Sequence, residues 1–124
     1  MSTVLIVEDN EKNMKLARDV LQAKGYATLE AVTGEEGVRL AKEGKPDLVL
    51  MDIQLPGING IEALRRIRTE PALAKVPVVA FTASVTPTDR SQIQAAGFDG
   101  FLSKPINLKE FLETVSALLR KAGA

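Results

Sequence analysis

Apolar positions along the chain fall into two periods that trade places about five times. Val4-Leu5-Ile6-Val7, Leu48-Val49-Leu50-Met51 and Val76 to Thr82 are nearly continuous apolar runs, the pattern of strands covered on both faces. Ala27 to Val32 is a weaker run, broken by Thr28 and Glu30, and Gly100 to Ser103 is a short one. Between the runs the spacing changes to that of helices. Asn10 is placed to cap a helix carrying Met14, Ala17, Val20 and Leu21, which Gly25 stops. Gly34 to Glu43 forms a second helix through Val38, Leu40 and Ala41, and Gly44-Lys45-Pro46 ends it. Ile61, Leu64 and Ile67 mark a third, which Pro71 is expected to terminate before a short turn from Ala72 to Lys75. A polar segment, Ser84 to Thr88, leads into a fourth helix ending near Ala96. The last helix has Asn107 as its cap and one stripe of Leu108, Phe111, Leu112, Val115, Leu118 and Leu119.

Five strand–helix units joined by short connections predict an α/β fold with a parallel sheet covered by helices on both faces. The all-apolar runs at Val4, Leu48 and Val78 belong in the centre of that sheet, and Ala27 to Val32 at an edge. Pattern alone leaves the strand order open. Neighbouring central strands would nevertheless bring their carboxyl ends together, and that edge is where ligands bind in open α/β sheets.

Composition narrows the chemistry. The 124 residues suit a single domain, and 16 Lys+Arg against 16 Asp+Glu leave no net charge to attract nucleic acid or an anionic membrane. There is no apolar run of membrane-spanning length, and Met1-Ser2-Thr3 leads directly into a strand, so a cytoplasmic location is expected. Neither Cys nor His occurs. Disulfides, thiolate nucleophiles, Cys/His zinc sites and histidine bases are thereby excluded. Phosphoryl or acyl chemistry must run on carboxylates, hydroxyls and lysines.

Those groups gather at the predicted strand ends. Glu8 and Asp9 follow the first strand and Asp52 ends the third, just before Pro56-Gly57 turn signals. Each acid has a plain alternative as a loop former, but three carboxylates in one small volume repel and call for a cation. An oxygen-only set suits Mg²⁺. Thr82 ends the fourth strand and Lys104 the fifth, so acids, a hydroxyl and an ammonium share one edge. Together they describe a site for Mg²⁺ and an anion, most simply a phosphoryl group.

The ordered set Glu8-Asp9, Asp52, Thr82-Ala83 and Lys104-Pro105, spread over essentially the whole chain, resembles the receiver domain of two-component response regulators, in particular the single-domain type. The resemblance implies a flavodoxin-like, doubly wound five-stranded sheet of order 2-1-3-4-5 with five helices, in one domain over residues 1–124 with no output domain. It further implies that Asp52 accepts phosphate from a histidine kinase or a histidine phosphotransfer protein. Asp9 and Asp52 would bind Mg²⁺, Glu8 would assist directly or through water, and the backbone carbonyl of Gln54 would complete the protein ligands. Lys104, Thr82 and Ala83 would receive the phosphoryl group, and Lys104-Pro105 would be cis. Phe101, three residues before Lys104, would act with Thr82 as a switch toward a partner surface on the fourth helix, fifth strand and fifth helix. Phe98 reads instead as core, and Pro56, Gly57 and Gly60 as turn and helix-start residues. Gln54 and Ser84 flank the expected route of a hydrolytic water. On this reading the chain is a signalling phosphoprotein and not a turnover enzyme. Two other readings keep the same fold: a Mg²⁺-dependent phosphatase with an aspartyl intermediate, against which Asp52-Ile53-Gln54 lacks a second Asp, and a phosphorylation-independent adaptor.

Overall fold

A computed structural model describes residues 2–83 and 86–123, without the side chains of 89 and 121–123. Strands β1 (Thr3–Val7), β2 (Ala27–Ala31), β3 (Leu48–Asp52), β4 (Val78–Thr82) and β5 (Gly100–Ser103) pair in parallel in the order β2-β1-β3-β4-β5. Helices α1 (Glu11–Ala23), α2 (Gly34–Gly44), α3 (Gly60–Arg68), α4 (Pro87–Ala96) and α5 (Leu108–Gly123) connect and follow them. This is the flavodoxin-like doubly wound sheet, with order reversing between β1 and β3. Alternation along each strand divides the core. Val4, Ile6, Leu48, Leu50, Val79, Phe81 and Leu102 face α1 and α5, meeting Met14, Leu21, Phe111 and Val115. Leu5, Val7, Val49, Met51 and Val78 face α2 and α3, meeting Val38, Ala41, Leu64 and Ile67. Phe98 packs at the margin of this second cluster, as a core residue.

Side-chain caps fix where helices begin relative to the sheet edge. Asn10, Thr33 and Asn59 each accept a hydrogen bond from the backbone N–H three residues on, and Asn107 does the same for Glu110. Each such cap contributes about 1 kcal/mol. Three of them, Asn10, Asn59 and Asn107, directly follow the loops that carry the candidate chemistry.

Several sequence expectations are corrected. Leu108 does not join the buried stripe of α5: it adjoins the Asn107 cap and is 48% exposed, and full burial starts at Phe111. Val32 lies beyond the end of β2, whose ladder stops at Val7 opposite Ala31, and is 53% exposed. Helix α3 ends at Arg68, before Pro71, and Pro71 opens a 3-10 turn, Pro71–Leu73, in place of the simple turn expected. A proline with its φ preset and no N–H to satisfy starts a helical turn readily. β4 begins at Val78, two residues later than the apolar run.

Candidate functional site

Strand alternation brings the site together. Glu8 continues the Val4-Ile6 face of β1, Asp52 the Leu48-Leu50 face of β3, and Lys104 the Leu102 face of β5. All three side chains therefore leave the sheet's carboxyl edge on the α1/α5 side. The backbone holds this edge in place: Glu8 N–H donates to Ala31 O at 3.0 Å, and Lys104 N–H donates to Thr82 O at 2.9 Å, which extends the β4–β5 ladder one step. Gly60 N–H donates to Ile53 O at 3.0 Å. Any Cβ on Gly60 would run into the carbonyl oxygen of Asp52 and the Cα of Ile53, so only glycine lets α3 start so close to the strand end. Gly60 thus serves as a packing residue at the helix start, as expected.

The Lys104 ammonium occupies the middle of the cluster. Its Nζ lies 2.8 Å from Glu8 Oε2 and donates to Asp52 Oδ2 at 3.0 Å. Asp52 Oδ1 accepts from Gln54 N–H at 3.1 Å, and Glu8 Oε1 accepts from Asn10 N–H at 3.0 Å. Glu8 and Asp52 are only 1% and 3% exposed, whereas Asp9 is exposed. Glu8 Oε2 has the ammonium beside it as a charge contact but no hydrogen bond of acceptable direction. Burial pushes the Glu8 carboxyl up to about 7, with the charge of Asp52 adding to the rise, against the Lys104 ammonium and the Asn10 N–H. Burial also disfavours the Lys104 charge, but the two carboxylates outweigh it and hold the ammonium's pKa above its ordinary value.

One oxygen each from Glu8, Asp9 and Asp52 lies within 4.8 Å of the others. Three carboxyl groups, of which the buried Glu8 keeps one oxygen without a hydrogen bond, against a single ammonium form a donor set short of positive charge. Such a set fits a hard divalent cation, which takes oxygen ligands and keeps waters on its open side. From Glu8 and Asp9 an open cleft of about 460 Å³ runs along α1, past Lys12, Lys15 and Arg18.

The remaining predicted residues are placed as follows. Thr82 is 1% exposed at the end of β4, one residue beyond the Asp52–Phe81 pairing of β3 with β4, and Ala83 follows it at the surface. Phe101 is half-buried on β5 opposite Ala80, with the Arg90 guanidinium of α4 over its ring at 5.0 Å. The Lys104–Pro105 peptide is cis. Ser84 lies outside the described residues. Sequence reading passed over two participants. Asn10 serves Glu8 through its backbone N–H, for which side-chain type carries no signal. Phe81 lies under Lys104, with Nζ 5.0 Å from the ring centroid, and the i, i+2 alternation of β4 and β5 was the available clue.

Comparison with known proteins gives a consistent result. Residues 4–116 match the family model for the response regulator receiver domain. The chain is 43% identical over 120 residues to the polar-differentiation response regulator DivK of Brucella anthropi, covering 97% of this chain and 98% of that protein. The DivK of Brucella abortus (strain 2308) matches equally well. Among solved structures, the chemotaxis response regulator CheY4 of Vibrio cholerae superposes with a TM-score of 0.89 at 26% identity, covering 95% of this chain and 98% of that one. The receiver domain of the sensor histidine kinase PA1611 of Pseudomonas aeruginosa PAO1, solved with a magnesium ion coordinated in its active-site cleft, gives a TM-score of 0.86 at 32% identity, covering 99% and 98%.

Proposed function

The chain belongs to the response regulator receiver family, and from that premise we propose that it is a Mg²⁺-dependent phosphoacceptor whose phosphorylation on Asp52 switches its binding to another protein. The observation that carries this reading is the Lys104 ammonium seated between Glu8 and Asp52, with Asp9 beside them, at one strand edge. A carboxylate oxygen of Asp52 attacks the phosphorus of a phosphohistidine. The new O–P bond makes an acyl phosphate, the P–N bond breaks, and the imidazole nitrogen of the donor keeps the electron pair. The donor is a histidine kinase or a histidine phosphotransfer protein, approaching the strand edge that carries Asp52.

Glu8, Asp9, Asp52 and the backbone carbonyl of Gln54 would hold Mg²⁺, which when bound supplies positive charge beside the phosphoryl oxygens. Lys104 exchanges one carboxylate partner for a phosphoryl oxygen, keeping a charge-assisted hydrogen bond throughout. The Thr82 hydroxyl turns to a second phosphoryl oxygen, and the small Ala83 leaves the approach open. Thr82 leaving its resting position gives Phe101 room to move inward, changing the face made by α4, β5 and α5 that the downstream protein reads. On this reading the chain works in the cytoplasm with its donor and is a signalling protein, with any self-dephosphorylation slow. The test is incubation with acetyl phosphate or a phosphorylated kinase in Mg²⁺. The expected product is an acid-stable, hydroxylamine-labile label on the wild type that is absent from Asp52→Asn. An unlabelled wild type refutes the reading.

A further inference from the structure

We propose that Phe81 is a positioning residue for Lys104, its ring face holding the ammonium at the point where carboxylates and an incoming phosphoryl group compete for it. Phe81 is buried, pairs with Asp52 across β3–β4 and with Leu102 across β4–β5, and projects to the same side of the sheet as Lys104. Its ring centroid is 5.0 Å from Lys104 Nζ, within the range at which an aromatic face attracts a cation. Phe81 also lines, with Leu102, Ser103, Pro105 and Ile106, a small, partly open pocket of about 30 Å³. Among the described residues, Glu8 and Asp52 also contact Nζ, and both are candidate cation ligands. A hard cation competes for those oxygens but not for a π face. Phe81 is therefore the one of these three contacts for which the cation does not compete, and it keeps the ammonium at the strand edge while a carboxylate partner is exchanged.

This deepens the phosphoacceptor reading and rests on it for its consequence, but half of its test does not. Phenylalanine analogues with one, two and three ring fluorines at position 81 weaken the π face at nearly constant volume, and Phe81→Leu removes it. In the metal-free protein the Lys104 ε-methylene protons are expected upfield by ring current, and the displacement is lost in Phe81→Leu. Affinity for beryllofluoride in Mg²⁺, a phosphoryl mimic, is expected to fall stepwise with fluorine count, about fivefold over the series, while Mg²⁺ affinity stays level. Unshifted ε protons in the wild type, no trend with fluorination, or Mg²⁺ and beryllofluoride affinities falling together with the melting temperature would each overturn the proposal. A wild type that shows the ring-current shift but binds no beryllofluoride removes the phosphoacceptor reading and leaves the Phe81–Lys104 contact standing.

Discussion

Replacing Glu8 with Gln is expected to stabilise the metal-free protein, and only above a particular pH. Glu8 is 1% exposed, and burial raises its carboxyl from 4.5 to about 7 in the folded state, net of the help from Lys104 and the Asn10 N–H. Between those two values the folded protein holds a proton that the unfolded chain has released. Stability therefore falls as pH rises through this window and is lowest above it. At about 1.4 kcal/mol per unit the full loss is about 3 kcal/mol. The neutral amide of Glu8→Gln would mimic the protonated acid and lose nothing. At about pH 4 the variant and the wild type should melt within a few tenths of a kcal/mol of each other, because the acid is largely protonated there in the folded and the unfolded chain alike. At about pH 8 the variant should be more stable by about 2 to 3 kcal/mol, which at this chain length is roughly 10 °C in melting temperature. Thermal melts in a chelator at a series of pH values read this directly. A gap of the same size at every pH, or a variant less stable throughout, would refute the idea that the buried charge is what the fold pays for.

Other perturbations probe different parts of the molecule. Mg²⁺ at a hundredfold excess over its Kd should stabilise the wild type by about 2.7 kcal/mol, and Asp9→Asn, which removes an exposed carboxylate of the cluster, should abolish most of that gain in a melting titration with little effect on the chelated protein. Gly60→Ala sets a Cβ against the Asp52 carbonyl and should cost at least about 2 kcal/mol in urea unfolding, because the end of β3 must shift. Arg68 donates to Leu73 O at 2.9 Å, Val76 O at 2.6 Å and Asp99 Oδ2 at 3.0 Å, tying the 3-10 turn to the segment before β4 and the loop before β5. Arg68→Ala should therefore cost about 2 kcal/mol at an unchanged m-value, leaving Asp52 chemistry intact.

How much of this was legible beforehand depends on the kind of contact. Asn10 and Asn107 were readable as caps because a cap is local, a side chain reaching three residues along its own helix. The centrality of β1, β3 and β4 was readable because strands covered on both faces leave no room for polar residues. Leu108 was misread because periodicity gives a face of a helix without saying how far along it the sheet extends. The Arg90–Phe101 contact and the latch at Arg68 join segments that no local rule connects, and for Phe81 and Lys104 strand alternation gives a shared face only once β4 and β5 are known to be neighbours.

The amino-acid order by itself determined five strand–helix repeats and a chemistry limited to carboxylates, hydroxyls and lysines, because burial patterns and residue types are properties of short stretches. Which strands are neighbours was decided only by the folded chain: the crossover from β2 past β1 to β3 sets Glu8 beside Asp52, and β5 brings Lys104 to both. Residues 8, 52 and 104 are far apart along the backbone. Only a twisted parallel sheet, with its strand ends on one edge, puts two buried carboxylates within reach of one ammonium.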